Sequence, residues 1–164
     1  MFNTLRFKQK KRSQQMVEYK NPIPVVVGIV VVKTKVLVVK RAIEPFIGQW
    51  ALAGGYLEMG TDWETHLQKE IWDEARVWVS NDHKDIEVFD MYSTPDTSKL
   101  LIFVPYKDKA VLSVDEFVPN DEVSERAFHK VEPWHNNLPK LCFPLHERAM
   151  SRYQNSLPDL SVQY

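Results

Sequence analysis

The chain has 164 residues and a single cysteine, Cys142. That scarcity excludes an internal disulfide and any cysteine-based zinc cluster, and it fits a reducing compartment. Cys142 itself reads as a small apolar core side chain. Long apolar runs are also missing. Residues 25–32 form the longest, well short of the roughly 20 residues a membrane helix needs. No basic start, apolar stretch and small-residue cleavage site follow one another as in a signal peptide, so the expected location is cytoplasmic. The formal net charge is only −1, which removes any global attraction to nucleic acid or an anionic membrane. Internal repeats, a second-domain boundary and a helix-turn-helix pattern are absent as well.

What remains is an ordinary globular composition, 44% hydrophobic and 26% charged, in a length that suits one domain with a substantial core. Residues 1–18 differ from the rest. Arg6, Lys8, Lys10, Lys11 and Arg12 precede the first acid, Glu18, and the segment is expected to be a basic, mobile tail. A globular domain is expected over residues 19–155, with a short C-terminal tail at 156–164.

The β-branched run 25–32 reads as a strand buried on both faces, returning through a turn at 33–35 into a strand at 36–39. A loop over 45–48 leads to a strand at 50–53. Residues 86–92, 100–106 and 127–131 read as further strands, and Pro144 opens a helix over 145–153. Strands before and after a central helix, with a second helix at the end, indicate an α/β layered domain with a mixed sheet.

The central stretch is GGYLEMGTDWETHLQKEIWDEARV, residues 54–77. The paired glycines permit close backbone approaches that a side chain would block. Thr61 followed by Glu64 has the form of a capping box, with Asp62 and Glu64 favourable in the first helical turn. Leu67, Ile71 and Ala75 supply an apolar stripe. Glu70, Asp73 and Glu74, at i, i+3 and i+4, lie beside it on an acidic face. Crowded carboxylates repel unless a cation shares them, and oxygen-only ligands suit Mg²⁺ or Mn²⁺ rather than zinc. A charged helix face turned to solvent gives the same spacing, so the loop in front of the helix carries the weight of the reading.

Residues 54–77 resemble the Nudix box, the loop–helix motif of hydrolases acting on nucleoside diphosphates linked to another group. Segments 19–22, 40–45 and 48–50, with Phe143-Pro144, are similar to the branch containing ADP-ribose and NADH pyrophosphatases. The resemblance implies a Nudix-type α/β/α sandwich. It also implies Mg²⁺ (or Mn²⁺) held by Glu70, Asp73, Glu74 and the Gly54 carbonyl, with Arg41 and Gly55 contacting substrate. The base that deprotonates water would be a box glutamate, Glu70 or Glu74, or an acid of a later loop, where Glu122 is preferred to Glu125.

Four positions depart from the family pattern. Thr61 stands at a glutamate position, Lys69 at the arginine that orients a catalytic glutamate, Asp73 at a glutamate and Arg76 at the helix-ending glycine. Lys69 keeps the charge and loses the planar, two-pronged geometry. No zinc ribbon of the kind some relatives carry is compatible with the cysteine content. The implied partner is a nucleotide substrate, with a homodimer left open and nucleic acid not expected. The competing reading is a Nudix-fold nucleotide-binding module without catalysis. RNA decapping aided by the basic tail is a third.

Overall fold

The computed structural model describes residues 20–131 and 138–158. The basic tail expected over 1–18 and most of the tail at 156–164 lie outside them.

The elements in chain order are β1 (Ile23–Val32), β2 (Lys35–Arg41), β3 (Trp50–Ala51), β4 (Gly54–Tyr56), α1 (Trp63–Ala75), β5 (Val77–Val79), β6 (Asp90–Ser93), β7 (Lys99–Tyr106), β8 (Val111–Val114), β9 (Val123–Lys130) and α2 (Pro144–Ser156). A seven-stranded sheet runs β3-β2-β1-β7-β6, with β9 added to β2 and β4 to β1. β1 and β7 are parallel and every other pair is antiparallel, so the sheet is mixed. β5 and β8 form a separate two-stranded sheet.

Alternation along the strands sorts side chains into two cores, one for each helix. Val26 and Val30 of β1, Leu37 and Val39 of β2, and Val104 and Tyr106 of β7 face α1, where Leu67, Ile71 and Ala75 meet them. Their neighbours Val27, Ile29, Val36, Val38 and Phe103 face α2 and its Ala149, Met150 and Tyr153. This is the α/β/α sandwich, and it explains why residues 25–32 are apolar without interruption. Leu67 and Ile71 are fully buried, each worth about 2 kcal/mol in transfer free energy.

One detail of the sheet creates the site. Along one edge β1 changes partner: Val31 and Val32 pair with β2, whereas Val25, Val26 and Val27 pair with β4. The chain crosses between these pairings at residues 52–54, where Gly28 N–H donates to the Ala53 carbonyl at 2.9 Å. α1 follows on that side.

Several expectations shift. The segment 86–92 is a strand only from Asp90 onward. Ile86 is buried on the α1 side while Phe89 packs on the α2 side, so the chain passes from one core to the other and cannot lie flat in the sheet. β9 starts at Val123, earlier than the apolar content suggested, because pairing with β2 extends to Arg41↔Val123 through polar residues. The strands Val77–Val79 and Val111–Val114 were not anticipated as a pair. Among the described residues no helix is long and apolar enough to cross a membrane.

Candidate active site

α1 brings the first carboxylates. Its N-cap is Asp62 rather than Thr61: the Asp62 carboxylate accepts the Thr65 N–H at 2.7 Å. The charged acceptor reaches the third helical amide, and that bond holds the Asp62 carboxyl below its ordinary range. At the other end Arg76 adopts the left-handed conformation, φ 54° and ψ 39°, and its N–H closes on the Trp72 carbonyl. The position that the resemblance fills with glycine therefore keeps the glycine geometry at a cost of about 1 kcal/mol. The Arg76 guanidinium lies 5.3 Å from the Trp72 ring, a contact that offsets part of it.

With both ends set, the helix aims Glu70 and Glu74 at the Gly54-Gly55 turn. Glu74 Oε2 accepts the Gly54 N–H at 2.9 Å. Gly54 has φ +152°, and a Cβ there would run into the Val26 carbonyl oxygen and sit 2.7 Å from Val27 Cα. At Gly55 a Cβ would occupy the place of Glu70 Oε2, with the Glu70 carboxyl carbon 2.9 Å away. Gly54 is required by its close approach to the sheet backbone, and Gly55 leaves the space that the Glu70 carboxylate fills.

The third carboxylate comes from the turn before β9. Asn120 organises it: Oδ1 accepts the N–H groups of Glu122 (3.0 Å) and Val123 (2.9 Å), and Nδ2 donates to the Asp73 carbonyl at 3.1 Å. The Glu122 carbonyl accepts the Ala42 N–H at 2.7 Å. These bonds bring the Glu122 charge close enough to raise the pKa values of both Glu70 and Glu74. For both acids burial is the larger cause, and Glu74 is pushed up to about 8 despite its Gly54 hydrogen bond. Arg41 provides opposing charge. It lowers the Glu74 pKa, and its guanidinium is held by hydrogen bonds to the carbonyls of Pro45 (2.7 Å) and Glu44 (3.3 Å). It also lies over the Phe143 ring at 5.2 Å.

The remaining acids are elsewhere. Glu125 pairs with Lys40 at 2.8 Å across the β2–β9 strands. Asp73 accepts from Lys69 Nζ at 2.8 Å on the exposed flank of α1. The expected trio of Glu70, Asp73 and Glu74 thus divides: the first and last face the glycine turn, and the middle one is tied to Lys69. Among the described residues, no three His, Cys, Asp or Glu side chains close into a preformed cation cage.

Four contributors escaped the sequence reading. Asn120 could have been suspected from its Asx-turn position ahead of Glu122. His66 lies one helical turn before Glu70, its Nε2 3.6 Å from Glu70 Oε1. Arg126 donates to the Ala75 carbonyl at 2.7 Å and to that of Asp115 at 2.9 Å, capping α1 from 51 residues away, a contact no local pattern announces. His146, on α2, accepts the Leu52 N–H through Nδ1 at 3.2 Å and fixes the chain just before the glycine turn. Its burial drops its pKa to about 3, so the ring is a neutral acceptor.

The pattern described as the NUDIX domain matches residues 22–146. The chain belongs to the Nudix family of pyrophosphohydrolases. It is 32% identical over 139 residues to a protein of Methanocaldococcus jannaschii described as an ADP-ribose pyrophosphatase, covering 82% of this chain and 75% of the relative. A Nudix hydrolase structure from Nitrosomonas europaea shares 25% identity with a TM-score of 0.62, covering 84% of this chain and 72% of that one. The fold alone is shared with a bifunctional NMN adenylyltransferase/ADP-ribose pyrophosphatase of Francisella tularensis, at 17% identity and a TM-score of 0.59, over 84% of this chain and 41% of that one. Placed on the Nudix box, the two glycines and α1 form its loop and helix, and the backbone of Glu122 is tied to the end of that helix through Asn120.

Proposed function

We propose that this Nudix enzyme hydrolyses the phosphate anhydride of a nucleoside diphosphate linked to a second group, with ADP-ribose as the first candidate and a divalent cation, Mg²⁺ or Mn²⁺, as cofactor. The observation carrying the proposal is that α1 sets Glu74 on the Gly54 N–H and Glu70 against Gly55, with the charges of Glu122 and Arg41 near enough to act on Glu74. The relative of known activity, described as an ADP-ribose pyrophosphatase, supports the choice of substrate.

The donor set fits a hard cation. It is all oxygen, and beyond burial Glu122 raises the pKa values of both Glu70 and Glu74, with Glu70 adding to the second, as neighbouring acids do. Glu70, Glu74 and the Gly54 carbonyl would hold the metal, with Asp73 joining after release from Lys69. A metal held there supplies charge neutralisation at the anhydride and a more acidic water.

The chain's own groups do the rest. Arg41, pinned by two carbonyls, presents positive charge to the diphosphate. Gly55 keeps open the space in which Glu70 meets the turn. Glu122, carried on the Asn120-braced turn, is the assigned base that takes the proton from the attacking water. A cytoplasmic location and a homodimer complete the proposal.

The test is a panel of nucleoside diphosphate derivatives with Mg²⁺ or Mn²⁺, assayed for release of nucleoside monophosphate. Metal-dependent cleavage of ADP-ribose is expected. Metal-independent nucleotide binding without cleavage of any member would instead identify a binding module.

A further inference from the structure

The lysine that replaces the family arginine acts on Glu70 only through its charge, because its hydrogen bond goes to Asp73. Lys69 Nζ is bound to Asp73 Oδ2 at 2.8 Å, and their side chains are 67% and 51% exposed. The orienting cation expected beside Glu70 has turned toward solvent. Another group stands in its place. The His66 side chain is only 3% exposed, and its Nε2 has no hydrogen-bond partner. It lies 3.6 Å from Glu70 Oε1. The other Glu70 oxygen, Oε2, rests against the Gly55 backbone. One carboxylate is therefore bracketed between a glycine and a buried imidazole.

A buried polar nitrogen without a partner is destabilising, a penalty that closing on an adjacent carboxylate removes. The i,i+4 spacing on α1 brings the two side chains to the same face, and a small side-chain rotation suffices to make the bond. The donor needs only a proton on Nε2, which both the Nε2 tautomer and the charged ring carry. The contact therefore does not depend on titration.

We infer that His66 is the positioning residue for Glu70, its Nε2–H holding the carboxylate toward the Gly54-Gly55 turn in place of the displaced cation at position 69. The inference rests on the proposed role of Glu70 in metal binding and hydrolysis. It also makes the lysine at 69 intelligible, because a box that orients its glutamate from one turn earlier has no need of the planar arginine fork.

The experiment compares His66→Leu, His66→Gln and Lys69→Met with the parent chain. Two readouts are used: Mn²⁺ affinity by electron paramagnetic resonance without nucleotide, and kcat and KM for ADP-ribose. Outer partners of metal-binding side chains are typically worth about 10–100-fold. His66→Leu is expected to weaken Mn²⁺ binding about tenfold and to lower kcat similarly, with KM for the nucleotide changed less than about threefold. His66→Gln, which keeps a side-chain N–H donor, should recover most of both losses. Lys69→Met, which also frees Asp73, should lose neither Mn²⁺ affinity nor kcat.

Parent-like Mn²⁺ affinity and kcat in His66→Leu would overturn the inference, as would an equal loss in Lys69→Met or no recovery in His66→Gln. Urea midpoints establish that each variant is folded. If the parent cleaves no member of the nucleotide panel, the proposed function fails, while the Mn²⁺ measurements still decide the role of His66.

Discussion

Asn120 donates through Nδ2 to the Asp73 carbonyl at 3.1 Å, joining the turn that carries Glu122 to the last turn of α1. Its Oδ1 simultaneously accepts the amides of Glu122 and Val123. One side chain thus sets the distance between a carboxylate of the Nudix box and one 48 residues beyond Glu74 in the sequence. Asn120→Ala should lower kcat roughly tenfold, as expected when an active-site group loses its support. Hydrogen exchange at the Glu122 and Val123 amides should accelerate in the same variant. Unchanged turnover with the faster exchange would remove Glu122 from the mechanism.

Glu74→Gln removes the charge but retains an amide oxygen able to accept the Gly54 N–H. The variant should fold normally and lose at least about a hundredfold in turnover, as for loss of a metal ligand or general base. Steady-state kinetics on ADP-ribose with Mg²⁺ provide the check, and near-normal turnover would displace Glu74 from the site.

The two glycines of the turn should respond differently to alanine. In Gly55→Ala the new methyl meets the mobile end of Glu70, which can shift. Stability should change by less than about 1 kcal/mol while kcat falls at least about tenfold. In Gly54→Ala the methyl meets the Val26 carbonyl on a backbone held at φ +152°. That conflict has no flexible partner, so a loss of several kcal/mol in urea unfolding is expected.

Two buried groups should shape stability against pH in opposite directions. Glu74 titrates near 8 when folded, against an ordinary value of 4.5. Between those values the native chain keeps a proton that the unfolded chain has lost, so stability falls as pH rises through the window and levels off above it. His146 is lowered from 6.5 to about 3, so the unfolded chain gains a proton that the native chain refuses. Its contribution is full above 6.5 and declines as pH drops toward 3. Urea midpoints measured in EDTA should show Glu74→Gln flattening the decline above pH 6.5 and His146→Asn flattening the acidic one. A parent chain with a flat profile from pH 6.5 to 8 would show that Glu74 is not desolvated.

Much of this protein is legible in residues that act on near neighbours. The β-branched run of β1, the apolar stripe Leu67–Ile71–Ala75 and the proline opening α2 are local patterns, and their elements form where period and end signals place them. The Nudix box is equally local, a turn and a helix with its glutamates one turn apart, and the family follows from it. The competition between Thr61 and Asp62 for the cap was less legible, because both residue types can cap and only the bond to Thr65 chooses between them.

What the sequence by itself determined is therefore the family, the layered architecture and the shared helix face of Glu70 and Glu74. Tertiary structure alone decided which other groups join them. Helical spacing puts Asp73 near Glu70, yet its carboxylate is spent on Lys69 at the surface. Glu122 and Glu125 are equivalent as acids of one segment until strand pairing gives Glu125 to Lys40 and Asn120 ties the Glu122 amide to the end of α1. His66 is an unremarkable helix residue until its burial strips away water and leaves its Nε2 3.6 Å from Glu70 Oε1. The reason is the same in each case: desolvation and hydrogen-bond geometry depend on which atoms packing brings together, and residue spacing along the chain does not encode that.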